Sequence, residues 1–236
     1  MSDVDEVDNL PKSRLEANLP AVWAAENPEP RVPVILMLDC SGSMEGDPIA
    51  ALNDGVVHFA AEVIKDSTAS LRVDLAVVTF GKTVEVAQDF TGILDFEPVD
   101  LMADGKTRMG QAIEKSLDML EARKQEYRDN GLQYYRPWVF MITDGAPSFP
   151  EEFEAAKARL HEAREAKKLL FWAIAVEGAD MDTCQELAGK SMALGLKGLE
   201  FKEMFQWLSA SVTAVSHSTP GDQLALPAAQ GWVIET

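Results

Sequence analysis

Cysteine is scarce in this 236-residue chain, which carries only Cys40 and Cys184. The two stand far apart with no Cys-x-x-Cys spacing, so neither a disulfide framework nor a thiolate metal site is written into the sequence. Two buried free thiols are expected instead. No apolar run approaches the roughly 20 residues that a bilayer-spanning helix needs. The opening residues, Met1-Ser2-Asp3-Val4-Asp5-Glu6-Val7-Asp8, are acidic where a secretory signal would carry positive charge followed by an apolar core. A cytosolic protein without a membrane partner is expected. Basic residues are scarce too, 21 against 39 acidic, and the net charge of -18 opposes long-range attraction to nucleic acid or an anionic membrane. Such a balance suits solubility, cation binding or a basic partner. The three histidines, His58, His161 and His217, fall in predicted helices away from the strand ends, where structural or solvated roles are expected. Neither a Gly-x-x-x-x-Gly-Lys-Ser/Thr phosphate loop nor a Gly-x-Ser-x-Gly nucleophile elbow is present.

What the chain does contain is an ordinary globular balance of 47% apolar and 25% charged residues, at a length that suits one generous domain. From Val32 onward, short apolar runs alternate with longer segments whose apolar residues recur every three or four positions. Val34-Ile35-Leu36-Met37-Leu38, Trp138-Val139-Phe140-Met141-Ile142 and the run from Leu169 to Val176 are continuously apolar, as strands buried on both faces of a parallel sheet must be. Val73 to Phe80 is a fourth strand. Gly81-Lys82 turns it into Thr83-Val84-Glu85-Val86, whose alternation predicts an antiparallel edge strand. A short strand is expected near Met192 to Leu196.

Helices are predicted from an Asp47 N-cap and Pro48 to about Lys65, from Met109 to Tyr127, from Glu151 to Lys168 and from Leu199 to Ser216. The alternating order implies one more between the last two strands. Right-handed crossovers then give a Rossmann-like α/β fold: an open, mostly parallel sheet with one antiparallel edge strand and helices on both faces. The division that follows is an acidic, proline-bearing extension over 1–30, with a possible helix where Asn18 caps Leu19 to Ala25, one domain over 31–217, and a tail over 218–236. The tail carries Leu224, Leu226, Trp232, Val233 and Ile234 without periodicity, and is expected to pack back over the domain or dock a partner.

In open α/β sheets, ligands sit beyond the carboxyl ends of the strands. The first strand runs into Asp39-Cys40-Ser41-Gly42-Ser43. In extended backbone alternate side chains point the same way, so Asp39, Ser41 and Ser43 can converge while Cys40 faces elsewhere. The strand ending in Thr143-Asp144-Gly145 sets a second carboxylate at the same edge, and Gly105-Lys106-Thr107 offers another hydroxyl just before a helix. Two carboxylates and three hydroxyls are hard oxygen donors that suit Mg²⁺, Mn²⁺ or Ca²⁺. Taken alone, Asp-x-Ser-x-Ser also reads as a polar turn whose side chains cap backbone amides. Around the edge, Met44, Met109, Pro147 and Phe149 could form an apolar rim, or serve as loop packing. Lys106 and Arg108 flank Thr107 and would favour an incoming carboxylate.

The combination of Asp39-x-Ser41-Gly42-Ser43, Gly105-x-Thr107 and Thr143-Asp144-Gly145, in this order and on these elements, resembles a von Willebrand factor A (vWA) domain with its metal-ion-dependent adhesion site. Pro33 to Asp39, Trp138 to Gly145 and Phe205 to Val212 are similar to the bacterial TerY group, named after tellurium resistance, and the resemblance runs from Pro28 to Ser216. It implies that Ser41, Ser43 and Thr107 ligate the metal directly, with Asp39 and Asp144 binding directly or through water. One coordination position is left for an Asp or Glu of a protein partner. It further implies a stress-response adaptor whose partners include a kinase or phosphatase encoded nearby. Lys106 departs from the small residue that many such domains carry, which bears on partner preference. The other readings are a Mg-dependent hydrolase or phosphoryl-transfer enzyme using Asp39, and a scaffold that uses no metal. Phosphoryl chemistry at Asp39 would call for Asp-x-Asp where the chain has Ser41, so no catalytic residue is assigned.

Overall fold

The computed structural model describes residues 22–222 and 224–234. Strands β1 (Val32–Asp39), β2 (Val73–Phe80), β3 (Val84–Gly92), β4 (Trp138–Thr143), β5 (Leu170–Ala175) and β6 (Ala193–Gly195) form one sheet in the order β3-β2-β1-β4-β5-β6. β3 pairs antiparallel with β2, and the remaining neighbours are parallel. The strand order reverses between β1 and β4, the crevice where such sheets place ligands.

Alternation along β1 decides which layer each residue feeds. Val34, Leu36 and Leu38 enter the core under α2 (Asp47–Ile64) and α7 (Phe201–Ser216). Ile35 and Met37 enter the opposite core, under α4 (Met109–Asp129), α5 (Pro150–Glu165) and α6 (Met181–Ala188). All of β1 is buried, which is why its sequence shows no polar face. Two short helices, α1 (Val22–Glu26) and α3 (Ala69–Arg72), complete the set. The expected helix at Leu19 to Ala25 lies partly outside the described residues.

Several boundaries differ from expectation for local reasons. Asp47 is the first residue of α2 and not its cap, because Gly46 at φ 91° makes the turn into the helix. β3 runs to Gly92, beyond the expected Val86, since register shifts opposite Val77 carry the pairing past Ala87. α5 stops at Glu165 and not Lys168, because Lys167 adopts φ 54°.

The described tail residues pack back onto the domain. Trp232 is buried against Trp207, with ring centroids 5.4 Å apart, and the indole of Trp207 donates to the Pro227 carbonyl at 2.8 Å. Val233 bridges Leu196 in antiparallel sense, so the tail covers the short β6 edge. Among the described residues no helix is long and apolar enough to cross a membrane.

Candidate metal centre

The register of the sheet brings the site together. β1 and β4 pair Leu38 with Ile142, so the next residues along, Asp39 and Thr143, meet where both strands end. Thr143 Oγ1 donates to Asp39 Oδ2 at 2.6 Å, and the Ser41 amide donates to Asp39 Oδ1 at 2.8 Å. Asp39 has no exposed surface. Beyond it the chain enters a 3₁₀ turn at Gly42–Met44, in which Ser41 and Ser43 place their hydroxyls 3.1 Å apart. Ser43 Oγ then donates to Asp144 Oδ1 at 2.8 Å, joining the β1 loop to the β4 loop.

The third loop closes on the other two. The Gly42 amide donates to the Gly105 carbonyl at 3.0 Å, and the Asp104 amide to the Cys40 carbonyl at 2.8 Å. Gly105 sits at φ 82° with its Cα against the Lys82 backbone, where a side chain would collide. Thr107 follows, buried, its amide donating to Ser148 Oγ at 3.2 Å while its carbonyl accepts from the Ser148 amide at 3.0 Å. A Cβ placed on Gly145 would lie 3.1 Å from Thr107 Oγ1 and 4.0 Å from Asp39 Oδ2. Gly145 thus lies beside both the Thr107 hydroxyl and the Asp39 carboxylate.

Burial pushes the Asp39 carboxyl above its ordinary range, the hydrogen bonds from Thr143 and Ser41 pull it back, and the charge of Asp144 adds to the rise. A cation at this point would reverse that balance. Among the described residues no group of three or more His, Cys, Asp or Glu side chains is placed to hold a metal. Two carboxylates supplemented by the hydroxyls of Ser41, Ser43 and Thr107 form an all-oxygen set, and it fits a hard divalent cation. Cys40 points into the core, with burial pushing its thiol up to about 12, so sulfur takes no part.

The rim expected around this edge is only partly formed. Met44 and Met109 are fully buried in the two cores on opposite faces of the sheet, so neither can meet a partner. The reason is helical and turn geometry, which aims both inward from loops that are themselves at the surface. Lys106 is exposed, and Arg108, Pro147 and Phe149 are half-buried. Arg108 lies with its guanidinium carbon 4.5 Å from the Phe149 ring centroid and donates from Nε to the Lys82 carbonyl at 2.7 Å. The Lys106 ammonium lies 5.9 Å from the same ring. Sequence reasoning assigned no role to Thr143 or Ser148. Thr143 carried a signal, being the one polar residue in an otherwise apolar strand; Ser148 carried none. The histidines are remote: His58 and His161 lie on α2 and α5, and His217 caps α7 beside Asp66.

Comparisons with known proteins agree with this fold. No curated protein matches the chain. Among solved structures, it is similar to a von Willebrand factor type A protein from Catenulispora acidiphila, at 15% identity and a TM-score of 0.58 over 78% of this chain and 43% of that one. It is also similar to proximal thread matrix protein 1 from the mussel byssus with a zinc-occupied MIDAS motif, at 18% identity and a TM-score of 0.53 over 78% of this chain and 48% of that one. A third is the manganese-loaded TRAP protein of Plasmodium vivax, at 16% identity and a TM-score of 0.53 over 73% of this chain and 70% of that one. The chain thus spans less than half the length of the first two, and at these identities the likeness speaks for the fold. The profile of the von Willebrand factor type A domain matches residues 34–195, from β1 through β6, and the chain belongs to that family.

Proposed function

We propose that this chain is a divalent-metal-dependent protein-binding module. The cation is Mg²⁺, or Mn²⁺ or Ca²⁺, held by Asp39, Ser41, Ser43, Thr107 and Asp144, and its coordination is completed by an Asp or Glu of the partner. The observation that carries this reading is the 2.8 Å contact from Ser43 to Asp144, which joins two loops distant in sequence into one oxygen-lined point. The metal-bearing relatives support a cation there: one is described with a zinc-occupied MIDAS motif and another as manganese-loaded. The ion would supply a positive point charge; the chain's own residues orient it. Lys106 and Arg108, with Arg108 braced on Phe149, add positive charge around the open position.

A binding role, and not catalysis, is supported by Asp39 itself. Both of its oxygens already accept hydrogen bonds, and the carboxylate has no exposed surface from which to attack a phosphoryl group. The resemblance to the TerY group supports a cytoplasmic adaptor in a bacterial stress-response or signalling assembly, with a kinase or phosphatase among its partners. Two unpaired, buried thiols accord with a reducing compartment. The test is affinity capture from native cytosol with and without chelator. Partners that chelation releases, and that Asp144→Ala fails to capture, are expected. A set of partners indifferent to both would refute the reading.

A further inference from the structure

The edge of the sheet opposite the metal centre carries a different charge. An open cavity of about 310 Å³ lies between the C-terminal ends of α4 and α5 and the start of β4. Lys124, Arg128, Arg136, Lys167 and Lys168 line it, with Glu121 as the sole acid among the described lining residues. This is a concentration of cations on a chain whose net charge is -18. Lys124 is buried and spends its charge on Glu121, at 2.6 Å. Arg136, Lys167 and Lys168 make no salt bridge among the described residues. Among the described residues Arg128 is oriented by neutral groups: two bonds to Gln125 Oε1, at 3.2 and 2.8 Å, and one to Tyr134 Oη at 3.0 Å.

Helix C-termini attract cations, so part of this cluster has an ordinary explanation. Each terminus is worth roughly half a negative charge. Five cations against Glu121 and two such termini still leave a surplus of about three positive charges. The fields converge, since Lys124, Lys168 and Arg128 all draw the Glu121 carboxyl below its ordinary value.

The backbone gives an independent sign. α4 and α5 end in the same capping motif, in which the two residues after the cap donate back into the last turn: Gly131 to Arg128 and Leu132 to Tyr127 in α4, Lys167 to Arg164 and Lys168 to Ala163 in α5. The first of those residues must be left-handed, and α4 uses Gly131, at φ 68°. In α5 the position is Lys167, the one non-glycine residue with positive φ among the described residues. A lysine there costs stability that glycine would not. The chain thus carries strain at the position where a cation enters the cavity.

We infer that this cavity is a binding site for a compact phosphate-class anion, distinct from the metal centre. A single carboxylate would leave most of the surplus uncompensated, whereas a phosphate monoester carries about two charges. The guanidinium fork of Arg136 matches phosphate oxygens in pairs, and Arg128, held by Gln125 and Tyr134, adds fixed positive charge beside it. Extended polyanions are excluded by the acidic remainder of the surface.

The test is calorimetric titration of the full chain with inorganic phosphate and with pyrophosphate in metal-stripped buffer, where the metal centre takes no part. One site per chain is expected, weakened about tenfold or more in Arg136→Gln/Lys168→Gln. Lys167→Gly is the decisive variant: it should bind the anion several-fold more weakly while melting at a higher temperature, a pairing that mere misfolding cannot produce. A control, Lys190→Gln/Lys197→Gln, should bind as wild type does. The inference is overturned by no binding at millimolar pyrophosphate, by an equal loss in the control, or by a glutamate-rich peptide that binds as tightly as pyrophosphate. Phosphoserine offered free and within a short peptide separates a small-molecule ligand from a protein-borne one; preference for the free form is expected, and a peptide-only response refutes the small-ligand site.

Discussion

Replacing Thr107 by valine deletes one proposed ligand while keeping the side chain's shape, so metal response and fold can be separated at a single atom. Thr107 is 7% exposed, and its Oγ1 lies beside Gly145. In metal-stripped buffer the change should cost about 1 kcal/mol, the usual size of a single-substitution effect. Wild type with Mg²⁺ at about 100 times its dissociation constant should gain about 2.7 kcal/mol. For a domain of this size that is a rise in melting temperature of about 5–10 °C, taking about 2–4 °C per kcal/mol. Losing an outer-shell partner already weakens metal binding by about 10–100-fold, and a direct ligand should reach at least the upper figure. At the same Mg²⁺ concentration the variant would then be half-saturated, gaining about 0.4 kcal/mol and about 1 °C. The assay is thermal unfolding of both proteins across a Mg²⁺ titration. Equal shifts in the two would refute the assignment of Thr107, and a metal-free variant that melts far below wild type would show that its hydroxyl serves the fold.

Gly145→Ala should act on the same atom from the other side: with a Cβ 3.1 Å from Thr107 Oγ1, Mn²⁺ affinity should fall by about tenfold with little change in metal-free melting, as read by manganese titration. Without metal, stability should depend on pH through Asp39. Its folded value is raised above 3.8, so its contribution is full below that ordinary value and is lost as pH rises through the raised one. Melting in metal-stripped buffer should therefore fall as pH is raised from about 4 through the mildly acidic range, and Asp39→Asn should flatten that part of the profile. A slope unchanged by the substitution would show that Asp39 is not the titrating group. Trp232→Ala should cost about 3–5 kcal/mol in urea unfolding, because the tail ring is 1% exposed and packs on Trp207. A loss under about 1 kcal/mol would mean that the tail contributes nothing to the core.

Continuous apolar runs were enough to identify β1, β4 and β5, because a strand buried on both faces has no alternative composition. The site loops were legible for a related reason: oxygen-bearing residues at alternate positions after a buried strand have few structural uses. Distances between loops were not legible, since they depend on register. Nothing in the sequence alone says that Ser43 reaches Asp144, or that Gly145 lies beside the Thr107 hydroxyl. Of the two roles open to Met44 and Met109, the structure gives packing and not rim, because proximity in sequence to the site says nothing of direction. One continues a turn that rolls under α2; the other begins α4 on its inward face. The strand extent of β3 and the early end of α5 were hidden by a bulge and by a lysine in a glycine's conformation, both of which local propensity reads wrongly.

The central claim, a single hard cation held by oxygen donors from three loops, is tested most directly by Mn²⁺ titration followed by electron paramagnetic resonance. The spectrum of free Mn²⁺ should disappear with one equivalent bound per chain. Asp39→Asn and Asp144→Asn should each weaken binding by about a hundredfold or more, and the Cys40→Ala control should leave it unchanged. Mn²⁺ that stays free in the presence of wild type, or that binds the two aspartate variants as tightly as wild type, would contradict it.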